Sequence, residues 1–502
     1  MENNFNKRHS RRELLKASAL GTIGLMLAPY IATAEKLNLS VPLQKRTFGR
    51  TGFKVTTMGL GGQASLQWTP EGIDPVAIIV KAYEMGINYF DTSNVYGTSQ
   101  EYYGKAFREL GLVPDTSNYD KKKRDAIFLT SKTHLRFAKG GDGRTGIRSV
   151  TNGSQTSMAL DDIKRSLSLV FGDGKGNYPK GAYFDMFMIH NIGSIGDIDA
   201  VYEGYENTDP NAETIGTFAL LRDYKNGTNS TGLNPQNEKL FRHIGFSGHN
   251  DPVLMMEMIQ RDSENLFDAV LLVCNANDKQ YANMQYNVIP LAQAKNMGVI
   301  AMKVFSDGAM YTNQAVWGGG KSGTDHVVQE VSGEGVPANL LIRYSLTVPG
   351  IHTAIIGIGK INDDADKCQI IYNLQAAQVK PNGLSDTERG KIELLASKVK
   401  DGKTNFFQKG FVGLTAPRDA KIAVDDKKIA ITWHTSLAGD APIDRYEIWR
   451  DGVKIAEIPF KAQITKTPYQ FIDKDTKNST KEYIVKTVDK KQKVAQTETL
   501  RI

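Results

Sequence analysis

Three apolar runs of this 502-residue chain end in side chains that handle protons. "INYFD" ends in Asp91, with Tyr96 five residues further on, "AIFLTSK" ends in Lys132, and "FDMFMIH" ends in His190. A carboxylate, a phenol, an ammonium and an imidazole are the groups of general acid–base work. If the runs are strands of an α/β protein, all four residues stand at or just beyond carboxyl ends, where such folds bind ligands. Each alone has a plainer account: Asp91 as a helix cap, Tyr96 as half-buried packing, Lys132 as a solvated terminal lysine, His190 as a hydrogen-bonded rim residue. Their joint placement, in the order Asp, Tyr, Lys, His, points to a site.

The elements that would position them are legible in the same way. "AIIVKAYEMGIN" has helical apolar spacing and closes on Gly86, a helix stop, before the strand carrying Asp91. From Leu43 to Lys398, short apolar runs alternate with helical ones such as "TSMALDDIKRSLSLVF" and "NVIPLAQAKNMG". Expected strands are 55–61, 87–91, 126–132, 184–190, 243–248, 269–275, 298–304 and 353–359. Near-continuous apolar strands suit a parallel sheet covered on both faces. About eight such units predict a (β/α)8 TIM barrel, with a doubly wound open sheet as the alternative. No GxGxxG turn follows the first strand, which counts against a dinucleotide site of that kind. Polar, turn-rich insertions at 140–153 and about 193–240, the latter with a helix expected in "TIGTFALLRDY", either wall the pocket or decorate the surface.

A net charge of +7 over this length is mild, and no segment interleaves clustered Lys/Arg with aromatics, so nucleic acid is not an expected partner. "KKKR" at 121–124 reads as a solvated loop before a strand. Cys274 and Cys368 stand far apart without ligand-spaced neighbours, which excludes a disulfide scaffold and argues against a cysteine-based metal site. At the amino terminus, Arg11 and Arg12 precede "ELLK" and the apolar run "ASALGTIGLMLAPYIATA". That pattern resembles a twin-arginine export signal over residues 1–34, cleaved near Ala34 to leave a periplasmic protein, with the twin-arginine machinery as a partner. A membrane anchor is the alternative, although glycines and a proline make the run a weak span.

The texture changes at Thr415. "IAITWHT", "DRYEIWRDGVKIAEI" and "KEYIVKTVDK" alternate apolar and polar residues between turns, as in an antiparallel β-sandwich. With Trp433, Tyr446 and Tyr483 as core aromatics, residues 415–502 resemble a fibronectin type III-like domain needing nothing from the barrel at 35–414.

"KRTFGRTGFKVTTMGLGG", "NYFDTSNVYGTSQEYYGKAF", "FLTSK", "IHN", "LFRHIGFSGH", "GVIAMK" and "LIRYSLTVPGIHTAIIGIG" resemble, in order, the motifs of the aldo-keto reductase family. The resemblance covers about 44–400 and implies hydride transfer between NADP or NAD and a carbonyl or alcohol. In that scheme Tyr96 gives a proton to the carbonyl oxygen and Lys132 lowers the tyrosine pKa. Asp91 holds the lysine, and His190 orients the substrate oxygen. For the cofactor, the resemblance leaves Ser247 and Asn275 as candidates and Val304, Phe305, Ser306, Gly308 and Gly357 as a backbone cradle. Lys360 stands near the adenine end. The family's Ser-Asn pair reads Ser247-Gly248 here, its glutamine aligns with Leu271, its stacking aromatic with Met302, and its Glu-Asn pair gives way to Asp366 and Lys367. Trp68 and polar loops suit a sugar or other polar carbonyl substrate. A reading of another class remains open: a non-redox carbohydrate-binding or scaffold protein on a barrel with a degenerate cofactor site.

Overall fold

The computed structural model describes residues 43–502 apart from 142, 152–157, 313–322, 406, 409, 411–412, 426–427 and 475–480. The expected export signal therefore lies outside the described residues. Eight parallel strands close into a barrel: β1 (Met58–Leu60), β2 (Tyr89–Asp91), β3 (Phe128–Thr133), β4 (Phe184–Ile189), β5 (Phe241–Gly248), β6 (Phe267–Val273), β7 (Gly298–Met302) and β8 (Thr353–Ile356). β8 returns to β1 through Ala354 opposite Met58, so the open-sheet alternative falls away. An antiparallel hairpin, Lys45–Thr47 with Lys54–Thr56, precedes the barrel, and Phe48 at its turn plugs the floor.

Strand alternation places the site. Tyr89, Phe128, Met186, Met188, Leu271, Val273, Ile300 and Met302 fill the barrel interior with Phe48. Their neighbours Phe90, Leu129, Phe187, Ile189, Val270 and Val299 face outward against the helices. Side chains repeat every second residue along a strand. Asp91 therefore lies two positions beyond Tyr89 on the inward face, and His190 two beyond Met188. Lys132 lies four beyond Phe128. Both faces being apolar explains the unbroken hydrophobic runs. Gly62 faces β2 so closely that an added Cβ would sit 2.4 Å from the Asp91 carbonyl oxygen.

The helices are capped by their own sequence. Asp74 accepts from the amides of Val76 and Ala77 at the start of Pro75–Glu84. Ser385 and Glu388 make a reciprocal capping box at Asp386–Lys398. The second insertion contains helices Ile195–Tyr202 and Thr217–Asn226, and Ile215–Gly216 pairs with Phe137–Lys139. The first insertion is described only in part. The "KKKR" run is not a solvated loop: Asp120 caps a short helix, Lys121–Asp125, and Arg124 is buried. Its guanidinium lies 2.8 Å from Asp185, a buried partner that the charge run alone does not reveal.

The carboxyl-terminal region is all β. One antiparallel sheet joins β9 (Arg418–Asp425), β10 (Lys428–His434) and β13 (Tyr469–Asp473). The other joins β12 (Val453–Pro459), β11 (Ile443–Arg450), β14 (Glu482–Asp489) and β15 (Val494–Gln496), with β16 (Leu500–Arg501) also on β14. Trp433, Tyr446 and Tyr483 are fully buried in one cluster with Ile429, Ile431, Ile448 and Val485. This region has its own core, and it also docks on the barrel through buried polar groups. Asn287 accepts from the Ala438 amide at 2.8 Å, Asn283 donates to the Gly439 carbonyl, and Gln260 donates to the Gln463 carbonyl at 2.7 Å. Among the described residues no helix is long and apolar enough to cross a membrane.

Candidate active site

Asp91 and Lys132 face each other across neighbouring strands at the carboxyl end of the barrel. Lys132 Nζ donates to Asp91 Oδ1 at 2.5 Å and to the Thr92 carbonyl at 2.8 Å. Both side chains are buried, and Asp91 Oδ2 has no partner. Burial pushes the carboxyl up and the ammonium down, and each partner opposes that push on the other. Lys132 Nζ lies over the face of the Tyr96 ring, 4.9 Å from its centre.

The Tyr96 hydroxyl lies 3.4 Å from His190 Nε2. The four side chains thus meet at one place, from two strand ends and two adjoining loops. One element of the expected electrostatics differs. Burial, then the charges of Asp91 and Asp307, push the Tyr96 hydroxyl well above the usual phenol range. Lys132 does not reverse this, because its ammonium is held by Asp91 and the Thr92 carbonyl above the ring face. Tyr96 therefore keeps its proton.

His190 is buried, and its other nitrogen, Nδ1, lies 3.0 Å from Ser93 Oγ. His134 packs against the ring at 4.3 Å between centres. Burial, then His134 and Lys132, hold His190 well below the ordinary histidine pKa, so its ring is neutral. Ser93 was not singled out in the sequence; its place between the strand end and Tyr96 is the signal that could have found it.

One pocket joins this cluster to the loops after β7 and β8. Asp91, Tyr96, Trp68, Val304, Phe305, Gly308 and Gly357 line it together with Met302. The other expected cofactor residues sit behind or beyond the wall. Ser247 is buried, its Oγ accepting the Asn191 amide at 2.9 Å. The Asn275 amide group donates to Asp278 at 2.6 Å, to the Lys303 carbonyl at 2.8 Å and to Ser306 Oγ at 3.3 Å. Ser306 is buried, and the Lys360 side chain is exposed. Two charged residues that the sequence reading passed over line the pocket: Lys303, whose Nζ lies 3.3 Å from Gln63 Oε1, and Asp307, 3.3 Å from the same ammonium. Lys303, Ser306 and Asp307 all have positive φ, so the loop turns tightly and its backbone faces the cavity.

His249 lines the pocket as well. It stands two residues beyond Ser247 in the same inward register, the signal that could have found it. Its Nδ1 lies 2.7 Å from Asn191 Oδ1, and Phe407, from the segment joining barrel to sandwich, stacks on the ring at 4.3 Å. In the same segment Asn405 donates to buried Asp278 at 3.3 Å. Among the described residues no cluster of His, Cys, Asp and Glu could hold a metal ion.

A (β/α)8 barrel with an acid–base cluster at its carboxyl end, opening on a glycine-lined pocket, defines an enzyme-like site. The Aldo/keto reductase family model matches residues 57–379, and the chain belongs to that family. It is 23% identical over 359 residues to L-galactose dehydrogenase of Arabidopsis thaliana, covering 69% of this chain and 93% of that protein. A putative voltage-gated potassium channel subunit beta of Schizosaccharomyces pombe is 29% identical over 165 residues, covering 29% of this chain and 47% of that one. Among solved structures, an aldo-keto reductase of Bacillus halodurans in holo form is 19% identical with a TM-score of 0.42, covering 70% of this chain and 96% of its own. One from Klebsiella pneumoniae in complex with NADPH is 17% identical with a TM-score of 0.41, covering 71% of this chain and 96% of its own.

Proposed function

We propose that this protein is an exported oxidoreductase that moves hydride between NADP or NAD and a carbonyl or alcohol, with a hydroxylated, sugar-like substrate. The observation that carries the reading is a protonated Tyr96 facing the pocket, its hydroxyl 3.4 Å from His190 and its ring above the Asp91–Lys132 pair. The pocket residues fit a dinucleotide: the backbone of Val304 to Gly308 and Gly357 forms a cradle continuous with Tyr96, and Met302 offers a soft apolar floor. Bound there, the nicotinamide would supply the hydride.

The chain's own residues do the rest. Tyr96 Oη holds a proton beside the position of an oxygen gaining negative charge, and burial keeps it protonated until that charge develops. Lys132 brings a fixed positive charge under the ring, and Asp91 fixes the lysine. His190 Nε2 sets where the oxygen can sit. The family to which the chain belongs and the similarity to L-galactose dehydrogenase support a polar carbonyl or alcohol as substrate.

The export part rests on Arg11, Arg12 and the apolar run after them. The twin-arginine route carries folded proteins, and nicotinamide nucleotides are scarce outside the cytoplasm. The cofactor would therefore enter before export and be cycled in place, one substrate oxidised as another is reduced. Calorimetry with NADPH and NADH tests the binding, and mass spectrometry of protein from its host's periplasm tests retention. Tyr96→Phe should keep nucleotide binding and lose aldehyde-dependent oxidation. The second reading, a non-redox carbohydrate-binding or scaffold protein, is favoured by the Asn275 amide being turned to Asp278 and by a carboxylate, Asp307, in the cradle. Failure to bind either nucleotide would select it.

A further inference from the structure

We propose that His249 reads the substrate: its Nε2 accepts a hydrogen bond from a hydroxyl beside the reacting carbon, making hydroxylated carbonyl compounds the preferred class. This rests on the oxidoreductase reading above and names the group that gives it specificity. His249 shares the pocket wall with Tyr96 and Trp68, and so faces the same cavity as the proton donor.

Its orientation is set from two sides. Asn191 Oδ1 accepts from Nδ1–H at 2.7 Å. Asn191 is itself fixed, its amide donating to Ser247 Oγ at 2.9 Å and its carbonyl accepting from Arg136 at 2.9 Å. Phe407 covers one face of the ring. With the proton on Nδ1, the lone pair lies on Nε2, and among the described residues no side chain or backbone group takes it.

The ring also stays neutral. Burial, then the charges of Lys303, Lys132 and Arg148, hold it well below the ordinary histidine pKa. A neutral acceptor beside cations has nothing to offer an anion or a metal ion, whereas a hydroxyl is its natural donor. The other pocket histidine cannot serve, since both His190 nitrogens already have partners in Ser93 and Tyr96. An apolar aldehyde would leave Nε2 desolvated and unpaired, and such sites discriminate strongly.

The test compares glyceraldehyde with propionaldehyde as substrates of NADPH oxidation by the full chain, its His249→Leu variant and its His249→Gln variant. Leu removes the acceptor at similar bulk, and Gln restores one. Wild type should prefer glyceraldehyde. His249→Leu should lower kcat/KM for glyceraldehyde about tenfold, mainly through KM, and leave propionaldehyde within about twofold. His249→Gln should recover most of the loss. Equal losses on both aldehydes, or none on glyceraldehyde, would overturn the proposal. NADPH calorimetry on each variant separates the two readings: a wild type that neither binds nor consumes the nucleotide removes the oxidoreductase reading, and this proposal with it. If His249→Leu does not fold, His249→Phe takes its place with the same expected pattern.

Discussion

Two buried carboxylates stand at opposite ends of the pocket and are treated differently. Asp91, at the proton end, faces the ammonium of Lys132 at 2.5 Å. Asp278, at the nucleotide end, is held chiefly by amides: Asn275 at 2.6 Å and Asn405 at 3.3 Å. The first keeps a charge in place for use beside Tyr96. The second ties the loop after β6 to the loop after β7 and to the segment leading to the sandwich, with little to neutralise it. Its carboxyl is accordingly pushed up to about 6, burial being the largest cause. One end is thus organised around side-chain chemistry, and the other around backbone shape.

That division makes Tyr96→Phe the largest expected effect on turnover. Removing the hydroxyl deletes the proton donor and leaves the Lys132–Asp91 pair and the cradle untouched. NADPH oxidation should fall roughly a thousandfold with nucleotide affinity nearly unchanged. A parallel loss of affinity would show that the two ends are not separable. Lys132→Met comes next, because it strands Asp91 as an unpaired buried carboxylate. Chemical denaturation should show a loss of about 3–5 kcal/mol. The double variant Asp91→Asn/Lys132→Met should regain most of that stability and none of the turnover. If the double variant is as unstable as the single one, burial of the charge is not what Lys132 answers.

Asp278→Asn breaks the comparison from the other side. A carboxyl whose folded pKa lies above its unfolded value contributes stability that is complete below the unfolded pKa and is lost as pH rises through the folded one. For Asp278 the window runs from 3.8 to about 6. A shift of about two units corresponds to roughly 3 kcal/mol of stability absent above that window. Thermal melts should therefore show the wild type losing stability across it relative to Asp278→Asn, whose curve lacks this component. Superimposable pH profiles would mean that the amides around Asp278 stabilise its charged form in full.

The proton end was legible in the sequence because its residues are unusual where they stand. Asp91, Lys132 and His190 each end an apolar run, and the two-residue period carries them inward once the strands are in register. The eight strands were legible for the same reason, since apolar residues on both faces leave unbroken runs. The nucleotide end was harder to read. Its lining is largely backbone from Val304, Gly308 and Gly357, and a loop's turn into a positive-φ run at Lys303, Ser306 and Asp307 leaves little trace in residue type. Asn275 has the right chemistry for a cofactor, but Asp278, three residues on, claims its amide. His249 and Phe407 lie 158 positions apart in the chain, and their stacking is a property of the fold alone.

The smallest expected effect concerns Ser93, and it sharpens what His190 contributes. Ser93 Oγ has one hydrogen and two acceptors within reach, His190 Nδ1 at 3.0 Å and Asn94 Oδ1 at 3.2 Å. Asn94 is anchored through its own donor to Asp162 at 2.6 Å, which keeps its carbonyl toward Ser93. When the serine hydrogen goes to Asn94, the imidazole carries its proton on Nδ1 and its bare Nε2 takes the Tyr96 hydroxyl hydrogen. When it goes to Nδ1, Nε2–H is available to donate to a substrate oxygen. The hydroxyl thus selects between a resting and a donating form of one neutral ring. Ser93→Ala removes that selection without touching the pocket. We expect kcat to fall about three- to tenfold with KM nearly constant, the loss of one neutral hydrogen bond that matters more when oxygen bears charge. Nitrogen chemical shifts of His190 should report a changed tautomer balance in the variant. An unchanged balance together with an unchanged kcat would leave Ser93 as packing, and would place the orientation of His190 with His134 and the barrel wall.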